Sequence, residues 1–319
     1  MKRAPCSITR CYLALCLGAL LMALWAGPAA AARIPIIDAH SQVDHEVDLE
    51  DVIKLMNKGG VSRTILSVRM NVSPKKLAAF ADRHPGRITP GLRTKIWAYV
   101  RNEPKYYRML KMQLRLPQFG ALAEVILCHA QKGDVAPEWI VHPDQPQVQE
   151  ALKIALEKGW PFIAHIEFAA AQFDRDMWMK KFEALAAAHP KHPFPLIHMG
   201  QLHADDAARL IGAHPNVYFM TSHSNSVSVG AARGQPWMNL FKGWRLAPKW
   251  KKLIVRHPDR FILAFDNVFA DHWGDFYLDQ IDLWRKALAE LPPAAAHALA
   301  HRNAERLWRF PPAKPVRTK

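Results

Sequence analysis

The stretch IPIIDAHSQVDHEVDLEDVIKLMNKGG, residues 34–60, holds one complete strand-then-helix unit. Residues 34–39 form a short apolar run of the kind that makes a buried strand. From residue 49 the period changes. Leu49, Val52, Ile53, Leu55 and Met56 fall at roughly helical spacing, and Gly59-Gly60 stops the helix. Between the two, the strand ends in Asp38-Ala39-His40-Ser41-Gln42, with His45 a little further on.

Outward from this unit the same rhythm recurs. Strands are predicted at residues 64–68, 88–92, 122–127, 161–166, 195–197, 217–220 and 261–265. Helices are predicted at 74–83 with Ser73 as N-cap, 148–158 closed by Gly159, 177–188, 205–211, 249–256, 280–290 and 294–308. A longer Tyr-rich, basic stretch covers 97–116, and 222–244 reads as an extended loop after the seventh strand. Eight strands in strict alternation with helices imply a parallel sheet, because parallel neighbours need a crossover, usually a helix. Eight such units close into an α/β fold, a (β/α)8 TIM barrel, as a single domain over residues 33–319. A doubly wound open sheet competes, but no glycine-rich phosphate turn follows the first strand.

Residues 1–32 have the form of a secretory signal peptide. Lys2, Arg3 and Arg10 precede an apolar run, and small residues at 30–32 offer a cleavage site. The expected location is therefore periplasmic or extracellular; an uncleaved membrane anchor is the alternative, and no stable span is expected after cleavage. Three of the four cysteines, Cys6, Cys11 and Cys16, lie in that segment, so Cys128 alone remains and no internal disulfide can form. Stability must then come from a large packed core. The net charge is +15, with three of the positive charges and no acid before Arg33, which leaves +12 for the rest. The positives are scattered, with one short cluster at Lys249, Lys251 and Lys252 around Trp250. This pattern fits a solvated surface and argues against specific nucleic-acid binding. The expected partner is a small-molecule substrate; a homo-oligomer is left open.

In such barrels the chemistry sits at the C-terminal strand ends. Those ends carry His40 and Gln42 on the first strand, Glu124 on the fourth, His165 on the fifth, His198 on the sixth and Asp266-Asn267 on the eighth. Imidazole and carboxylate groups converging on one point suit zinc, manganese or iron. His84, His189, His214 and His257 each precede a proline at a helix-to-strand turn and read instead as helix C-terminal caps. Trp178, Trp250, Trp284 and Trp308 read as helix-face packing.

Taken in order, several segments resemble the amidohydrolase superfamily, in its amidohydrolase 2 branch of decarboxylating and lactone-hydrolysing proteins. They are IIDAHSQ (36–42), HPGRITPGLR (84–93), LAEVIL (122–127), PFIAHIE (161–167), PLIHMG (195–200), NVYFMTS (216–222), DRFILAFDNVF (259–269) and HRNAERLW (301–308). One position departs from the pattern: the family's first strand supplies two histidines, and here the second is Gln42, neutral and weaker toward zinc. The resemblance implies a mononuclear site, most simply one Zn2+ with Mn2+ or Fe2+ as alternatives. His40 and His165 would be ligands, with Asp266 as ligand or base. Glu124 would add an oxygen, Gln42 a weak carbonyl, and His198 an acid/base or a further ligand.

The activity expected is hydrolysis of a small ester, lactone or amide, with Asp266 as base and His198 steadying the oxyanion. Arg93 and Asn267 are candidates for binding a substrate anion. Two alternatives stand beside it. Non-oxidative decarboxylation would use the same site, and a non-catalytic binding barrel would explain Gln42 as a lost ligand.

Overall fold

Eight parallel strand positions form a closed ring. Strand β1 (Ile36–Val43) pairs with β2 (Val61–Val68), which pairs with β3 (Ile88–Leu92) and then β4 (Ala121–Leu122). The chain breaks at Ala123-Glu124 and resumes as β5 (Val125–His129), flanked by a short antiparallel β6 (Trp139–Ile140). Strands β4 and β5 are two halves of one barrel strand. Ala123 N donates to Leu92 O at 3.1 Å on one side, and Val125 N to Ile163 O at 2.8 Å on the other. From β5 the order runs through β7 (Ala164–Ile166), β8 (Phe194–Leu196), β9 (Val217–Met220) and β12 (Phe261–Ile262). The ring closes past β12, where Ala39 N donates to Leu263 O, Asp266 N to His40 O and Gln42 N to Asn267 O. The structure is a computed structural model that describes residues 33–134, 136–170, 172–231 and 235–316. The expected signal peptide, with Cys6, Cys11 and Cys16, lies outside the described residues.

Two sets of buried side chains hold the ring. A large outer core lies between strands and helices, and Trp178, Trp250 and Trp284 are part of it. A smaller inner core is made of strand-start residues such as Ile37, Ile65, Ile163 and Ile262, with Ala304, Leu307 and Trp308 packed on them. The last helix, Asn303–Trp308, therefore plugs the N-terminal end of the barrel and leaves the other end for chemistry. Asn303 fixes that plug: its Nδ2 donates to Pro258 O and Phe261 O, both at 2.7 Å. Asn303→Ala is expected to cost about 2 kcal/mol in denaturant unfolding, because two buried carbonyls lose their donor.

The helices end where their chemistry requires. Asp48 and Ser73 cap Leu49–Gly59 and Pro74–Arg83, and Gly60 and Gly159 take left-handed backbone at φ 72° and 64°. His84, His189, His214 and His257 all stand at helix C-caps, as their prolines imply. The stretch 222–244 is more ordered than a loop: it contains the helix Ser226–Gly230 and β10 (Phe241–Lys242), which pairs in a hairpin with β11 (Arg245–Leu246) just beyond it. No helix among the described residues is long and apolar enough to cross a membrane.

Candidate active site

A bulge in β1 aims the first ligand-type side chains. The register passes from Asp38 opposite Thr64 to Ser41 opposite Leu66, so β1 carries one extra residue there. Asp38 pins this bulge across the seam of the barrel. Its carboxylate accepts from Phe265 N at 3.0 Å and from Ser41 Oγ at 2.6 Å. Burial pushes its pKa up to about 7 against those donors. His40 and Gln42 then meet Glu124 from the β4–β5 break, His165 from β7, His198 from the turn after β8 and Asp266 from beyond β12. Each is 3% exposed or less.

Gln42 lies at the centre of this group as a clamp. Its Nε2 donates to Glu124 Oε1 and Asp266 Oδ1, both at 3.1 Å, and lies 3.5 Å from His40 Nε2. A carbonyl oxygen in that place would face two carboxylates, so charge fixes which end of the amide points inward. His40 Nε2 reaches the same Asp266 oxygen at 3.3 Å. Burial opposes charge on His40, but the Asp266 carboxylate prevails and raises its pKa.

His165 is engaged on both nitrogens. Nδ1 meets Glu124 Oε2 at 2.5 Å and Nε2 meets Glu167 Oε1 at 3.1 Å. Burial again works against the charged ring, and the two carboxylates outweigh it, raising the pKa of His165. Glu167 is fully buried, takes Lys132 Nζ at 2.6 Å and accepts from Ala130 N at 2.6 Å. Lys95 Nζ lies 3.2 Å from Glu124 Oε1. Burial would raise both glutamates, but these cations hold them well below the usual carboxylate range.

The other side of Asp266 is different. Its Oδ2 faces His198 Nε2 at 3.5 Å and His223 Nδ1 at 3.7 Å, and the two rings stack with centroids 4.9 Å apart. Burial keeps both rings neutral, pushing His223 down to about 4 and His198 well below its ordinary value. His223 Nδ1 is buried with no hydrogen-bond partner among the described residues. Backbone strain marks the same place: His198, Met199 and Gln201 have φ of 53–56°, His223 52° and Asp266 53°. Left-handed backbone at non-glycine residues costs energy that packing must offset, and it gathers at functional sites.

Three groups could hold a divalent ion, with candidate ligand atoms within 4.8 Å of one another: Glu124–His165–His198, His129–His165–Glu167 and His198–His223–Asp266. Lys132 Nζ already sits within 2.8 Å of both Glu167 and His129, in the place a cation would take in the second group. Gln42 and Lys95 occupy Glu124 in the first. The third has two neutral imidazoles, a carboxylate oxygen without an amide or ammonium donor among the described residues, and a cavity of about 900 Å³ before it. Its donor set fits a zinc-like ion.

Not every expected site residue converges here. Asn267 is fully buried, its Oδ1 accepts from Gln280 Nε2 at 3.5 Å, and it lines neither large cavity. His45 is exposed on the surface, so it does not replace a ligand. Arg93 lines a neighbouring cavity rather than the one before Asp266. Conversely, Lys95, His129, Lys132, Glu167 and His223 belong to the site and carried no prediction. All five lie at or up to three residues beyond a strand end, and that proximity is the signal that could have found them.

An amidohydrolase family model matches residues 117–310, more than half of the chain. Among solved structures the chain is similar to an uncharacterized TIM-barrel protein from Bordetella bronchiseptica, with a TM-score of 0.59 and 15% identity, covering 86% of this chain and 99% of that one. It is similar also to a 2,6-dihydroxybenzoate decarboxylase from Rhizobium (TM-score 0.51, 17% identity, 87% and 99% covered). A third is a 4-oxalomesaconate hydratase from Rhodopseudomonas palustris (TM-score 0.53, 12% identity, 86% and 96% covered). No curated protein sequence matches the chain. These likenesses carry the barrel, and the family model carries the kinship: the chain belongs to the amidohydrolase family.

Proposed function

We propose that the protein is an exported metal-dependent hydrolase of a small ester, lactone or amide, with the ion held by His198, His223 and Asp266. The observation that supports this most is Asp266 Oδ2 facing two neutral imidazoles, His198 buried and His223 mostly so, at the wall of the large cavity. A divalent ion there would polarise a carbonyl and acidify water. The remaining work falls to the chain. Asp266, held in place through Oδ1 by Gln42 and His40, turns Oδ2 to the ion site as its carboxylate ligand. His165, charged between two carboxylates, and Lys95 supply positive charge beside a developing oxyanion. Trp237, 4.6 Å from the His198 ring, covers one side and excludes water. Export rests on the form of residues 1–32.

The test is a panel of esters, lactones, amides and aromatic acids, given to the protein after loading with zinc or manganese. Hydrolysis that disappears with chelator and returns with metal supports the reading. Hydrolysis indifferent to chelator overturns it, as does a loaded protein that turns over no ester, lactone or amide. Carbon dioxide released from the aromatic acids would replace hydrolysis by decarboxylation, the activity named for the Rhizobium neighbour.

A further inference from the structure

Next to the cavity before Asp266 lies a second one of about 790 Å³, sharing Arg69, Lys95 and His129 with it. Its charge is one-sided. Arg69, Arg93, Lys95, Arg101 and Lys105 line it, against Glu103 as the acid among its described lining residues. Two of these cations are already matched: Arg101 lies 3.8 Å from Glu103, and Lys95 is bound to Glu124. Arg69 and Arg93 are not. Among the described residues neither has a carboxylate within 4.0 Å, and their guanidinium contacts are to neutral groups. Arg93 Nη1 donates to Met70 O at 2.9 Å, and Arg69 Nη1 to Val268 O at 3.3 Å over the Phe269 ring. Arg93 Nε is buried with no hydrogen-bond partner among the described residues.

Arg69 and Arg93 both line this cavity, and Arg69 lies close enough for its charge to add to burial in lowering the pKa of Arg93. Two half-buried guanidinium groups so placed are costly without an anion between them. A guanidinium fork is also the group best shaped to take a carboxylate or phosphate bidentately. The same chamber has aromatic walls, with Trp97 edge-on to Trp139 at 5.4 Å. We infer that it is an anion subsite. The substrate is elongated, with one end at Asp266, an aromatic or aliphatic body along Trp97 and Trp139, and an oxyanion gripped by Arg69 and Arg93. That the ligand is a substrate rests on the function proposed above; the anion subsite does not.

The experiment is calorimetric titration of the protein with biphenyl-4-carboxylate, biphenyl-4-ylphosphonate and the neutral biphenyl-4-carboxamide, at one salt concentration. At least one anion is expected to bind about tenfold more tightly than the neutral amide, as one Arg–oxyanion pair implies. Comparison of the two anions identifies the preferred terminus. Arg93→Gln and, separately, Arg69→Gln should abolish the advantage while the amide affinity stays within about twofold. Equal affinities in the wild type overturn the inference, and so does an advantage that survives in either variant with native circular dichroism. Binding is read without turnover. An anion advantage with no ester hydrolysis would therefore defeat the hydrolase reading alone, and hydrolysis of neutral esters without that advantage would defeat the subsite alone.

Discussion

Replacing His223 by alanine is expected to weaken zinc binding on the order of a thousandfold, and His165→Ala only tenfold to a hundredfold. The contrast follows from what each ring already does. His165 spends Nδ1 on Glu124 and Nε2 on Glu167, and the paired carboxylates favour its charged form, which cannot ligate a metal. His223 has an unpartnered, buried Nδ1 aimed at Asp266 Oδ2 and a ring kept neutral by burial. Losing it removes a direct ligand, whereas losing His165 removes a neighbour that positions Glu124. Equilibrium dialysis against zinc, with fold checked by circular dichroism, separates the two. A larger loss in His165→Ala would move the ion to the group formed by Glu124, His165 and His198.

The barrel was legible because periodicity is a property of the chain itself. The strands at 88–92 and 217–220 and the helix at 74–83 fall where apolar spacing puts them. The fourth strand was less legible. Its apolar run reads as continuous, but Ala123-Glu124 leaves the ladder, turning Glu124 toward Gln42, Lys95 and His165. His40, His165, His198 and Asp266 were found by the same logic that located the strands, whereas His129, past the end of the predicted 122–127 run, was missed. His223, Lys95 and Lys132 were missed too, because each lies three residues past a strand end, where direction depends on loop conformation. His223 shows the difficulty best: only its left-handed backbone, at φ 52°, accompanies the stacking of its ring on His198.

Gln42 shows a different limit. In the sequence it reads as a metal ligand lost from a two-histidine motif. In the structure its amide joins two carboxylates that would otherwise repel across the barrel mouth. It leaves Asp266 with one oxygen committed and the other turned to His198 and His223. A residue that looks like damage to one ion site thus helps to orient the carboxylate of the adjacent candidate site.

Lys132→Ala is expected to destabilise the fold by about 3 kcal/mol, seen as a fall in Tm of roughly 5–10 °C. Glu167 is fully buried and relies on this ammonium at 2.6 Å. Lys132 serves His129 too. The His129 ring is held neutral, its pKa pushed down to about 2 by burial and by Lys95 and Lys132. With Nδ1 donating to Pro137 O at 3.1 Å, its Nε2 is free to accept from Lys132 at 2.8 Å. Removing the ammonium takes a donor from both, and the buried Glu167 carboxylate, left with His165 and the Ala130 amide, is the costlier of the two. The pH dependence has a definite sign. The pKa of Glu167 is lowered from 4.5, so its contribution is complete above about pH 4.5 and is lost as the pH falls toward the folded value. The variant should therefore lose stability most at neutral pH and approach the wild type in acid. Combining Lys132→Met with Glu167→Gln removes both charges and should recover about half of the loss, because the two side chains are coupled. A Tm for Lys132→Ala within about 2 °C of the wild type at neutral pH would mean that water or the Ala130 amide suffices to hold Glu167.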